Sequence, residues 1–246
     1  MILVWLILIP FLGGLLCWQA DRWGEQAPRW IALATMLFVL VISLGLWITG
    51  DFVLPQGGQY EWLLEWRSDW IPRFGIEIHL AMDGLSLILV ALTGFLGALA
   101  VLCSWHEIVH RIGFFHLNLL WILGGVVGVF LALDLFLFFL FWEMMLVPMY
   151  FLIALWGHSG SAGQTRIRAA TRFFIYTQAS GLLMLVAILA LVFIHFGNTG
   201  QLSFSYEVLR QTEVPEAIAP WLMLGFFVAF AVKLPVVPLH GWLPDA

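Results

Sequence analysis

"FFVAFAVKLPVVPLHGWLP" occupies residues 226–244 and reads as a membrane span with an ammonium group inside it. Lys233 is the only lysine of the chain. Pro235 and Pro238 follow it and His240 follows them. Each proline lacks an N–H, so a helix running through this stretch would lose the partners of the Ala231 and Leu234 carbonyls. Inside a bilayer such groups need water or a side chain, and interrupted helices are where transporters place ion sites. His240 lies seven residues beyond Lys233, which predicts a shared helix face about two turns apart. The plain alternative is a proline kink with no further role.

The rest of the chain makes the membrane reading compulsory. Of 246 residues, 63% are hydrophobic and 10% charged, and the mean hydropathy is +1.00. Soluble domains carry about 25% charge, so this composition cannot clothe a water-soluble surface. A span needs about 20 apolar residues. Runs of that kind fall at 2–20, 30–49, 80–104, 114–132, 135–157, 170–196 and 219–240. They are long and continuous rather than alternating, which predicts an all-α polytopic transmembrane bundle of about seven spans with a proline-broken seventh helix. The N-terminal run has no positive region before it and reads as a retained span.

Arginine sets the expected orientation. The first, third and fifth loops hold Arg22, Arg29, Arg111, Arg166, Arg168 and Arg172, whereas the second, fourth and sixth hold only Arg67, Arg73 and Arg210. The positive-inside rule then places the N-terminus outside. The second loop, residues 51–78, is acidic and carries Trp62, Trp66 and Trp70; it is expected on the outer surface near the headgroups or against a partner subunit.

A second ionisable residue sits deep in a span. Glu143 lies within "DLFLFFLFWEMMLVPMYFLIALWG" (134–157), with Pro148 five residues later as a possible kink. A charge at the bilayer centre costs about 2.5–3.5 kcal/mol on insertion scales, so such groups face a bundle interior, pair with one another or line a water path. Glu143 and Lys233 are therefore read together. One reading is a structural ion pair tying the fifth and seventh spans. Interhelical polar contacts in membranes average only about 0.6 kcal/mol, a small return for two buried charges. The other is a proton relay: burial disfavours the ammonium, a nearby carboxylate favours it, and moving the carboxylate's charge switches the lysine's hold on its proton.

Other polar residues read more simply. Asp83 and His79 fall at the start of the third span as interfacial groups, and Asp134 marks the turn between spans four and five. His116 and His195 lie near span ends and do not form the paired set a membrane haem needs. Met144, Met145 and Met149 read as packing. Cys17 and Cys103 suggest neither a disulfide framework nor a metal cluster. We find no phosphate loop and no nucleophile with a base partner, so no redox or hydrolytic centre is expected here, and the net charge of −5 points to no nucleic acid.

Several stretches resemble a known family. "FFHLNLLWILGGVVGVFLALDLFLFFLFWEMMLVPMYFLIALWGH", "FIYTQASGLLMLVAILAL" and "FFVAFAVKLPVVPLHGWLPDA" closely resemble the antiporter-like chain M (chain 4) family of bacterial NADH–quinone oxidoreductase, respiratory complex I. "WLILIPFLGGLLCW" and "WIPRFGIEIHLAMDGLSL" favour that chain over its paralogues. The resemblance runs from the first residue to the last and implies the N-terminal half of a subunit of roughly fourteen helices. Residues 1–110 would then be three N-terminal helices with the loop at 51–78. Residues 111–246 would begin the proton-translocating domain, ending before the eighth helix and its lysine, so a longer protein is expected. Glu143 and Lys233 match the family's charged pair. The resemblance further implies NADH, FMN, iron–sulfur clusters and quinone in partner subunits and none in this chain. It implies paralogous antiporter-like chains as neighbours, protons as cargo, and the bacterial inner membrane as the location. Related sodium/proton antiporter and membrane hydrogenase subunits share these motifs and stay open as alternatives, as does a non-pumping membrane scaffold.

Overall fold

A computed structural model of the chain describes residues 1–50, 62–157 and 165–245. The first part of the expected outer loop, 51–61, lies outside the described residues. The described residues fold as two compact units, Met1–Arg67 with Leu80–Ala132, and Ser68–His79 with Leu133–Ala246.

The first unit holds four helices: α1 (Ile2–Ala20), α2 (Gln26–Thr49), α3 (Gly84–Cys103) and α4 (Ile112–Leu131). Each is apolar nearly all round, so packing sorts their faces by size and shape rather than by polarity. α1 packs on α4 and α2, and α2 packs on α3. Cys17, Ala32, Met36, Ala98, Val101 and Leu120 form their shared core. The Trp121 indole donates to the Phe11 carbonyl at 3.2 Å, which satisfies a polar atom that hydrocarbon would leave bare. Outward residues such as Leu16, Phe38, Val41 and Ile48 are exposed, as lipid-facing positions must be.

α3 starts later than the apolar run suggested. Asp83 is its N-cap and accepts from the Ser86 N–H at 2.7 Å. Residues 80–82, expected to be helical, belong instead to a strand. That strand, β2 (Ile76–Met82), pairs with β1 (Leu64–Ile71) across a short turn at Pro72–Phe74. Gly75 follows the turn with φ 67°, a left-handed conformation that a side chain would strain. Among the described residues this hairpin is the only sheet in an otherwise helical fold. His79 is fully buried within β2.

The second unit contains α5 (Leu135–Met144), α6 (Leu146–Trp156), α7 (Arg166–Thr199), the short α8 (Tyr206–Leu209) and α9 (Ala219–Lys233). α7 packs against α6, α9 and α5. Leu146, Ile153, Ala169, Ala170, Phe173, Val232 and Trp242 form a core there. Asp134 does more than turn the chain. It is 1% exposed and caps α5 by accepting from the Phe136 and Leu137 N–H groups, both at 2.9 Å. It also accepts from the Glu77 N–H at 3.2 Å. Beside it, Leu135 donates to the Phe204 carbonyl and Tyr206 to the Leu133 carbonyl, each at 2.8 Å.

Among the described residues six helical stretches are long and apolar enough to cross a membrane: Ile2–Trp23, Gln26–Thr49, Gly84–Cys103, Ile112–Leu131, Leu135–Trp156 and Arg166–Thr199. Ala219–Lys233 is a seventh, shorter apolar helix. The chain is a multi-pass membrane protein.

Candidate functional site

The fifth span is interrupted where its proline requires. α5 ends and α6 begins around Met145. Pro148 has no N–H to offer the carbonyl of Met144, one turn earlier. Glu143 therefore stands in the last turn of α5, next to a weakened stretch of backbone.

The seventh span is interrupted more sharply. α9 stops at Lys233, and residues 234–242 continue as turns. The Ala231 carbonyl, expected to be free, accepts from the Val236 N–H at 2.8 Å. The chain bends back past Pro235 and a later donor replaces the one the proline lacks. The Trp242 indole N–H donates to the Val232 carbonyl at 2.9 Å, and its ring packs edge-on against Phe173 at 5.2 Å. Two loose carbonyls at the end of α9 are thus satisfied without water. Because the helix ends, Lys233 and His240 do not share a helix face; the spacing argument fails at the turn that Pro235 imposes. His240 keeps a buried Nδ1 with no hydrogen-bond partner.

Lys233 and Glu143 are both partly buried, and their charges interact. Each also has other company. The Lys233 ammonium lies over the Trp142 ring, 5.0 Å from its centroid. The Glu143 carboxylate faces the Gln178 side chain and lies directly against Gly181, where a Cβ would overlap Oε1. Consecutive residues on a helix point about 100° apart. Trp142 accordingly turns toward α9, where it meets Phe230 edge-on at 5.4 Å, while Glu143 turns toward α7.

Gln178, Gly181 and Trp142 were not singled out from the sequence. Gln178 had a legible signal, being an amide inside the apolar stretch "FIYTQASGLLML". Gly181 reads as an ordinary small-residue contact, and Trp142 as core. Among the described residues no cluster of three or more histidine, cysteine or acidic side chains could hold a metal ion.

Residues 132–246 match the family model described as NADH:quinone oxidoreductase/Mrp antiporter, TM. The whole chain is 67% identical to NADH-quinone oxidoreductase subunit M of Escherichia coli strain K12, covering 48% of that protein. It is 68% identical to the subunit M of Pseudomonas aeruginosa, covering 49% of it. The chain thus spans about half the length of the curated relatives it matches. Among solved structures, respiratory complex I from Thermus thermophilus with bound NADH contains a chain that superposes with a TM-score of 0.78 at 27% identity, over 99% of this chain and 46% of that one. The Mrp complex from Dietzia sp. DQ12-45-1b gives 0.78 at 20% identity, over 100% of this chain and 25% of that one, a likeness of fold alone. Over its whole length this chain is similar to the antiporter-like subunit M of NADH–quinone oxidoreductase, and its residues 132–246 carry the match to the antiporter family model.

Proposed function

We propose that this chain is part of a proton-translocating membrane subunit of NADH–quinone oxidoreductase. Its own contribution is the Glu143/Lys233 pair. The carrying observation is that these opposite charges, both partly buried, each stand at the interrupted end of a helix, α5 and α9. Stability alone gives no reason for this arrangement, since apolar packing serves a membrane interior better than a buried ion pair.

The chemistry follows from Coulomb's law. At an effective dielectric of about 20, unit charges about 4 Å apart interact by about 4 kcal/mol, and less as they separate. Moving one charge across 100 mV takes about 2.3 kcal/mol. The two energies are of one order, so a change in the charge or position of Glu143 is enough to drive a proton on or off Lys233 against a membrane potential. Electron transfer from NADH to quinone, with its FMN and iron–sulfur clusters, belongs to partner subunits. The role of this chain is electrostatic. His240, with its unsatisfied Nδ1, is the nearest relay candidate in sequence beyond Lys233. The arginine distribution supports an N-terminus on the periplasmic face of a bacterial inner membrane.

A subunit of a sodium/proton antiporter or a membrane hydrogenase is the nearest competing reading. Identities of 67% and 68% to subunits of NADH–quinone oxidoreductase, against 20% to a chain of an Mrp complex, favour the oxidoreductase. The decisive experiment introduces Glu143→Ala and Lys233→Ala into the full-length subunit of the assembled complex and follows NADH-driven acidification in membrane vesicles. Loss of pumping with intact assembly is expected. Normal pumping by both variants leaves only a passive scaffold.

A further inference from the structure

We propose that Trp142 is the positioning residue that holds the Lys233 ammonium in place when Glu143 carries no charge. This rests on the Glu143/Lys233 relay proposed above and adds the component that relay lacks. A relay in which the carboxylate is the sole partner of the ammonium has an awkward half-cycle. Once Glu143 is neutral, a cation remains in a low-dielectric site with nothing opposite it, which is strongly unfavourable.

The structure supplies a second partner that cannot titrate. The Lys233 ammonium is 5.0 Å from the centroid of the Trp142 ring, inside the distance at which a ring face attracts a cation. Indole is the strongest of the aromatic faces in this respect, and the attraction grows when water is excluded. Trp142 is 9% exposed. Its ring is held by neighbours: Phe138 stacks on it at 5.8 Å with 28° between planes, and Phe230 meets it edge-on at 5.4 Å and 84°. Phe138 and Phe230 also touch each other edge-on at 6.5 Å. The ring is thus fixed from two sides and offers the ammonium a preformed face.

The local sequence explains the division of labour. Trp142 and Glu143 are adjacent in α5, so one helix turn presents a permanent partner toward α9 and a switchable one toward α7. The attraction of the ring is the same whatever the protonation state of Glu143. Lys233 therefore keeps its place while its electrostatic surroundings change. Trp142 acts through Lys233 and handles no proton itself.

The test uses the complete, assembled complex. Trp142 is replaced by phenylalanine, by leucine, and, through nonsense suppression at that codon, by tryptophans carrying one, two and three ring fluorines. Fluorine keeps the ring's shape and apolar character but drains its negative face. NADH-driven proton pumping per assembled complex should fall stepwise with fluorine number. Trp142→Phe should keep about a third of it, and Trp142→Leu should lose about tenfold. Equal pumping across the fluorine series, or undiminished pumping by Trp142→Leu, overturns the proposal. If Trp142→Leu does not assemble, the fluorinated series decides. Lys233→Ala runs alongside. Normal pumping by that variant removes the relay itself, whereas a dead Lys233→Ala with a flat fluorine series removes only the role of Trp142.

Discussion

The two compact units give buried ionisable groups different company. In the first, they sit at helix ends and are bound to main chain. Arg29, in the first turn of α2 and 5% exposed, donates to the Ile108 carbonyl at 3.0 Å. Asp21, though exposed, also binds main chain, accepting from the Gly113 N–H at 3.1 Å. His116, fully buried in the first turns of α4, donates from Nδ1 to the Ile112 carbonyl at 2.8 Å. Each of these groups has a main-chain partner, although Nε of Arg29 and Nε2 of His116 have none. In the second unit Asp134 is tied to main chain in the same way, but Glu143 and Lys233 stand next to interruptions of apolar helices and face side chains: each other, Gln178 and Trp142. Side-chain partners can move or change charge, and main chain cannot. Buried charge tied to backbone is architecture, and buried charge tied to side chains is available for work.

Exchanging the consequences of the two regions is the sharpest way to break this comparison. Glu143→Ala or Lys233→Ala should abolish pumping in the assembled complex and leave its abundance close to normal. Arg29→Ala should do the reverse. It removes a buried charge-assisted hydrogen bond and strands the Ile108 carbonyl, a loss of about 2 kcal/mol. The complex should be scarcer and melt earlier on a thermal unfolding curve in detergent, with pumping per assembled complex unchanged. An Arg29→Ala complex that assembles fully but does not pump would contradict the contrast directly.

Gly181→Ala sharpens the comparison from the other side. Its methyl group would occupy the place of Oε1 of Glu143, so the carboxylate must turn away from Gln178 or α7 must shift. Overpacking of this kind costs about 1–3 kcal/mol. We expect about tenfold less pumping, equivalent to about 1.4 kcal/mol, with assembly only slightly reduced; vesicle acidification normalised to complex content measures both.

Smaller effects belong to the caps. Asp134→Ala deprives α5 of its N-cap and orphans the Glu77 N–H, an expected loss of about 1–2 kcal/mol. Burial pushes the Asp134 carboxyl above the ordinary carboxylate range. Its three N–H donors pull the other way and Glu77 adds to the rise. A carboxyl raised in the folded state binds its proton more tightly there than in the unfolded chain. Stability from this group is therefore greatest in acid and declines as pH rises from the unfolded value through the folded one. Asp134→Asn, which keeps an acceptor without the charge, should flatten that part of the melting-temperature profile against pH. Asp83→Ala, which removes the α3 cap at an exposed end, should cost only about 1 kcal/mol in the same melting experiment.

The hairpin shows where sequence reading stops and why. Leu64–Ile71 alternates apolar and polar residues for most of its length, with Leu64, Trp66 and Trp70 set against Glu65, Arg67 and Asp69. That is a strand pattern, yet it sits among tryptophans that also suit a membrane interface, so the local sequence admits both. Residues 80–82 were absorbed into the third span because their apolar character is equally at home in a buried strand. The interruption of the fifth span was legible in Pro148, and Lys233 and Glu143 stood out because isolated charge in an apolar run is costly anywhere it lands. Gln178 was visible as polarity. Gly181 and Trp142 were not, because only their neighbours distinguish a contact glycine or core tryptophan from one that faces a charge.

Sequence alone determined that this chain crosses the membrane repeatedly as helices, which two charges lie within it, and which family it resembles. These follow from solvation energies and local motifs that need no knowledge of neighbours. Tertiary structure decided that the Ala231 and Val232 carbonyls are satisfied by Val236 and Trp242, that His240 leaves the helix face of Lys233, and that the ammonium rests on Trp142. Those outcomes depend on where the chain goes after a proline, and a missing N–H says that a helix must yield without saying which group will take its place.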